Sequence, residues 1–188
     1  MDTKARKTLT EAVIERSHAD SWEWSRLEWR VKGLSGSARA TCVCGQPGLV
    51  RRFVVANTVT AEELEPIGSS CIKHFGSHAM NDQLKDLTNL LEMEVAAATR
   101  PLNIKVDLNR SKLATLYTHG AFVPTKWNGG EGYNDYRFLV DMFNRRQAPS
   151  QRQGWKTSAL LRDVGAFLKA TGSGERPRLR VADLGGAA

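Results

Sequence analysis

Apolar and polar positions along the chain switch between a helical period and an alternating one, and the switches mark out a mixed fold. Residues 8–17, TLTEAVIERS, predict a short helix, capped by Thr8 or Thr10, with Glu11 placed for a capping box with Thr8. Residues 22–34, WEWSRLEWRVKGL, alternate: Leu27, Trp29 and Val31 fall on one strand face, Trp22 and Trp24 on the other. The β-branched and aromatic run 49–58, LVRRFVVANT, predicts a second strand. A turn at 60–63 returns the chain through 64–67 and closes a hairpin. The segment GSS then offers a cap for a helix running from Cys71 towards Met80. A second helix over 82–98 carries Leu84, Leu87, Leu90, Leu91 and Val95 at helical spacing.

The second half reads as helical. Arg100-Pro101 ends the preceding helix, and PLNIKVDLN reads as extended. A helix from Ser111 ends at His119-Gly120, where Gly120 serves as a C-cap and His119 as a favourable partial cation. The glycine-rich AFVPTKWNGGEG is turn chemistry. In the helix that follows, Tyr136, Leu139, Val140 and Phe143 share a stripe. A last helix over 151–170 is expected to turn Trp155, Leu160, Leu161, Val164, Phe167 and Leu168 inward. The pattern predicts an α+β protein in four parts: an N-terminal helix (1–21), a hairpin-centred α+β domain (22–98), a helical domain (99–170) and a flexible basic tail (171–188).

Composition narrows the partners. No run of eighteen apolar residues occurs, so no membrane partner is expected. The charged N-terminus lacks the apolar core of a secretion signal, and three cysteines do not make a disulfide framework, so a cytoplasmic setting is expected. The net charge of +7 is uneven: residues 144–180 hold nine basic residues against two acids, so the rest of the chain is formally neutral. Such a basic third suits a polyanion, nucleic acid above all; a solvated surface with a basic tail is the plainer alternative.

The cysteines carry the chemistry. TCVCG puts Cys42 and Cys44 one residue apart, and GSSCIKHF puts Cys71 and His74 three apart, on one face of the predicted helix. The set Cys42, Cys44, Cys71 and His74 supplies three thiolates and an imidazole, the donors that tetrahedral zinc takes. His78, a turn further on, competes for the fourth place, and small buried core thiols are the alternative to any metal. Four protein ligands leave no position for water, so the zinc is expected to be structural, with no small-molecule substrate. Knuckle, hairpin, then helix is the order of a treble-clef zinc finger, which the chain resembles, although its first knuckle is one residue shorter than the usual C-x-x-C.

Catalytic signatures are missing. No P-loop, dinucleotide fingerprint or nucleophile elbow is present. A ββα-metal nuclease, which would use His78 and Asn81, needs a general-base histidine near the hairpin, and residues 46–67 hold none. Glu131 and Asp135 read as acids favoured at a helix start. A non-enzyme is expected.

Across about residues 22–168, the segments CVCG, VANTVT, EPIGSSCIKHF and LYTHGAFVPTKWNGGEGYNDYRFLVDMFNRR resemble a group of small uncharacterised proteins of Gram-positive bacteria and their phages. The resemblance, most specific in IGSSCIKHF, implies a zinc-binding domain with a helical C-terminal half, in a bacterial or phage setting. It implies no activity.

The leading expectation is a zinc-stabilised nucleic-acid-binding protein. Its candidate phosphate contacts are Arg51, Arg52, Lys73, Arg145, Arg146, Arg152 and Lys156, with Trp127 and Trp155 able to stack on bases. Arg51 and Arg52, adjacent on a strand, would point to opposite faces. The alternative is a protein-interaction module, such as a phage or mobile-element inhibitor of a host defence or transcription complex. It would use an aromatic patch from Trp22, Trp24 and Trp29.

Overall fold

The structure, a computed structural model, describes residues 1–35 and 39–172. The α+β expectation holds: a three-stranded antiparallel sheet is accompanied by several helices. Contacts divide the chain after Leu87 into two units. That boundary falls inside a helix rather than at its end, and the N-terminal helix shares the first unit's core.

In the first unit, α1 (Thr3–Glu15) starts five residues before the expected position. Asp2 caps it, its carboxylate accepting from Ala5 N at 2.7 Å, whereas Thr8 bonds back to the Lys4 carbonyl. The stripe that fixes this helix is Ala5, Leu9 and Val13, all buried, and the polar residues between them hid its first turn. Residues 22–34 are not one strand. Trp22–Ser25 forms a helical turn, α2, and the strand β1 covers only Trp29–Leu34.

The sheet order is β1–β2–β3, with β2 at Phe53–Asn57 and β3 at Glu63–Ile67. Trp29 faces Asn57, Val31 faces Val55, and Phe53 faces Ile67. Asn57, fully enclosed, shapes the β2–β3 turn by accepting from Val59 N and Thr60 N while its amide donates to Glu28. Three hydrogen bonds, from Asn57 and from the backbone of His18 and Ala19, hold the Glu28 carboxyl below its usual range despite the opposing effect of burial. Because α2 is helical, the expected aromatic strand face does not form. Trp29 is buried with its indole donating to Ser17 Oγ, Trp22 packs on His74 and Phe75, and only Trp24 stays largely exposed.

The helix expected from Cys71 to Met80 is broken. α3 (Ser69–His74) ends at Phe75, Gly76 turns the chain at φ 66°, and α4 (His78–Thr99) begins two residues later. Arg26 fills the gap by donating to the freed Phe75 carbonyl at 2.7 Å. Leu9, Val13, Trp29, Phe53, Val55, Ile67, Ile72, Phe75, Met80 and the three cysteines share one core.

The second unit continues from Thr88 in α4 through α5 (Arg110–Thr118), α6 (Gly132–Asn144) and α7 (Gln151–Gly172). The segment 101–109, expected to be extended, is instead a turn organised by Asp107, which accepts from Asn103 N and from both terminal nitrogens of Arg100. His119 caps the end of α5, and Gly120 follows at φ 79° as expected. The core of this unit includes Met93, Leu113, Leu116, Leu139, Val164 and Leu168. Trp155 is not in it: the residue is 66% exposed. The buried positions Leu161, Val164 and Leu168 project back one turn to Thr157 and Gly154, which leaves Trp155 on the outer face. Of the expected tail, residues 173–188 lie outside the described residues.

Candidate metal centre

A tight loop, its bond to the end of β3 and the start of α3 bring the thiols together. The Ala40–Leu49 bridge closes a tight loop in which Cys42 N donates to Gln46 O at 2.8 Å and Gly45 N to Cys42 O at 2.7 Å. Gly45 and Gly48 lie at φ 88° and 75°, conformations a side chain would strain, so the loop turns sharply enough to aim both thiols inward. Val43 N then donates to Pro66 O, fastening the loop to the end of β3. Two residues on, Gly68 starts α3, whose first turn delivers Cys71.

The sulfurs of Cys42, Cys44 and Cys71 all lie within 4.8 Å of one another, and all three residues are buried. Cys42 Sγ and Cys71 Sγ are 3.6 Å apart. A disulfide would need about 2.0 Å. Two thiolates on one tetrahedral zinc, with bonds of about 2.3 Å, stand roughly 3.8 Å apart. The spacing therefore suits thiols gathered around an ion, and the cluster can hold a metal. Gly68 N also points at Cys42 Sγ, at 3.4 Å.

The hydrogen bond from Cys71, helped by the amides of Cys44 and Gly68, lowers the Cys42 thiol to about 5 against the opposing effect of burial. The same shared proton, with burial, drives the Cys71 thiol in the opposite direction. Cys42 is thus the thiol of the pair favoured to lose its proton, and the thiolate is the form that binds metal.

His74 is not brought to this group. Its ring stacks on Trp22, with centroids 5.1 Å apart and planes at 24°, and lies outside the cluster formed by the three sulfurs. Burial foremost, then the positive charges of Arg6 and the N-terminus, keep its imidazole below its ordinary pKa. The i, i+3 rule places Cys71 and His74 on one helical face, but α3 ends at His74, and the ring turns to the indole. His78, in the first turn of α4, is exposed and stands outside the cluster too. What the sequence reasoning missed is Met1, whose Sδ is 3.6 Å from Cys71 Sγ. No spacing rule points from position 1 to position 71.

The candidate phosphate contacts fall into two sets. Arg51 and Arg52 lie in the loop before β2 rather than on a strand: Arg51 is exposed beside the cysteines, and Arg52 is half-buried with its Nε shielded. Lys73 is exposed on α3. In the second unit Arg146 and Arg152 are exposed, but Arg145 donates to Gln153 Oε1 at 2.5 Å. Lys156 pairs with Asp135 at 2.8 Å and sits over the Phe138 ring. Trp127, in a 3-10 turn at Lys126–Asn128, is 81% exposed with the Lys126 ammonium 4.8 Å from its ring centre.

One carboxylate contacts the side chains of the residues that follow Trp127 and Trp155. Asp135 is buried, accepts from Asn128 Nδ2 at 2.7 Å and binds Lys156. Asn128 directly follows Trp127, and Lys156 directly follows Trp155. No helix among the described residues is long and apolar enough to cross a membrane. No protein-family profile matches the chain, and neither a curated protein nor a solved structure does.

Proposed function

We propose that this is a non-enzymatic nucleic-acid-binding protein whose first unit is a treble-clef-like fold stabilised by zinc. Loop, β2–β3 hairpin and α3 follow one another in the treble-clef order, and their three thiols are the donors zinc prefers. The ion would fasten the loop 40–49 to α3, supplying folding energy rather than chemistry.

One observation carries the nucleic-acid reading: Trp127, with the Lys126 ammonium against its ring, and Trp155 are exposed at 81% and 66% next to residues joined through Asp135. Exposing a large indole to water costs apolar surface unless something covers it. Aromatic faces beside cations are how proteins hold unpaired bases and track a phosphate backbone. The exposed Arg146 and Arg152 of this unit carry charge of the matching sign.

The test is titration with single-stranded and duplex oligonucleotides over a salt series. Binding is expected to weaken as salt rises, the slope counting the phosphates contacted. Trp127→Ala and Trp155→Ala should each cost about 1–3 kcal/mol of affinity for single strands. Arg146→Glu with Arg152→Glu should flatten the salt slope. Binding unchanged by all four substitutions would defeat the reading.

A further inference from the structure

We propose that the fourth donor to the cysteine cluster is the Met1 thioether rather than an imidazole. The proposal rests on the metal reading of that cluster and adds a ligand to it. The cysteines line a pocket of about 340 Å³ that Met1, Ala5, Gln46, Leu49 and Arg51 also line, so Met1 and the three thiols border the same space. Met1 Sδ stands 3.6 Å from Cys71 Sγ, the same separation as Cys42 Sγ from Cys71 Sγ. Both match the edge of a sulfur tetrahedron, roughly 3.8 Å for zinc bonds of about 2.3 Å.

The position of Met1 is supported by the residues after it. Asp2 caps α1, and Ala5, Leu9 and Val13 seat that helix in the unit's core, so the residue just before the cap is delivered to the cysteines. His74, the donor suggested by spacing, is stacked on Trp22 and stands outside the cluster. Three thiolates and a thioether make an all-sulfur site for a soft ion, and the neutral thioether is its weakest member. The metal would then bind the start of α1 to the loop 40–49 and to α3.

The experiment uses the full chain carrying a short N-terminal extension, so that position 1 can be varied, loaded with zinc and labelled with selenomethionine. X-ray absorption at the zinc edge reads the bound atoms directly. The expected result is a selenium neighbour in the labelled protein, lost in Met1→Ala and retained in His74→Ala. The other methionines, Met80, Met93 and Met142, are buried in helices and should contribute nothing to that signal. Zinc affinity should fall at least about tenfold in Met1→Ala, since removing even an outer-shell partner costs about 10–100-fold. A first shell of three sulfurs and one nitrogen that changes in His74→Ala would overturn the proposal while leaving zinc binding intact. Stoichiometric zinc with no selenium neighbour would do the same. A native protein that takes up no zinc overturns the metal reading itself.

Discussion

Cys42 Sγ and Cys71 Sγ lie 3.6 Å apart although 29 positions separate them in the chain. Nothing local makes that contact. It depends on the loop bonded to Pro66 O, on the hairpin register and on the start of α3. Thiols brought together by three separate elements, unbonded and at a tetrahedral spacing, report on the whole first unit.

That dependence makes metal removal a folding experiment. Replacing Cys42 and Cys71 together by Ser should abolish bound zinc and lower the melting temperature of the first unit. A strong chelator should have the same effect on the native protein, and melting should rise with free zinc concentration, as it must for an ion that binds only the folded state. If the thiols were merely small core residues, the chelator would leave melting unchanged. Elemental analysis with calorimetry decides the matter.

The glycine-rich segment 129–132 yields a prediction about packing. Gly129 and Gly130 lie at φ 71° and 80°, so their role is backbone conformation. Gly132 differs: a Cβ there would meet the Phe122 carbonyl oxygen at 2.1 Å. Gly132→Ala must push α6 away from the loop and should cost about 1–3 kcal/mol or more. Gly165→Ala, inside α7 with nothing within 4 Å of its Cβ, should instead stabilise by about 0.5–1 kcal/mol. Denaturant midpoints for the two variants should move in opposite directions.

Those glycines show where sequence reading stopped short. The turn chemistry of 129–132 was legible because Gly and Asn cluster there, but the reason for Gly132 lies in Phe122, ten residues away. The strands β2 and β3 were legible because β-branched residues bounded by turn residues have few other uses. Two periods can fit one short run, and WEWS alternates as well as it turns, so its pattern alone does not separate α2 from a strand. Hydrophobicity alone places Trp155 in the core, while its angular position on α7 puts it outside. The thiol cluster is legible from residue type and spacing, whereas the His74 ring stacks on Trp22, which no spacing indicates.

Asp107 sets a pH dependence in the second unit. The Arg100 guanidinium foremost, with the Asn103 amide and the Lys112 charge, holds its carboxyl below the ordinary value of 3.8 despite partial burial. A lowered folded-state value means that its stabilisation is complete above the unfolded value and is lost as pH falls through the folded one. Asp107→Asn should therefore melt at a lower temperature than the native protein at pH 7. The gap should begin to narrow as the pH falls towards about 3.8 and should close only below the lower folded-state value, where both forms lack the charge. A gap that persisted in acid would assign the loss to packing instead. Melting curves between neutral and acid pH make the comparison.

The sharpest test of the contact surface lies in a residue that would not touch the ligand. Asp135→Ala removes a negative charge from a protein of net charge +7 and, by electrostatics alone, should tighten nucleic-acid binding. Position argues the reverse. Without the carboxylate, Asn128 Nδ2 and Lys156 Nζ lose the acceptor they share, and the supports of Trp127 and Trp155 come apart. Asn128 Nδ2 keeps its bond to the Val123 carbonyl but loses its second acceptor, so stability should fall by about 1–3 kcal/mol, and affinity for single strands should fall too. Glu131→Ala is the charge control: this residue is exposed and its side chain makes no capping bond to α6, so affinity should hold or rise. Measured at one salt concentration, well below either variant's melting temperature, opposite signs would support the joined indoles as the binding element. A rise in both would reduce the surface to its charge.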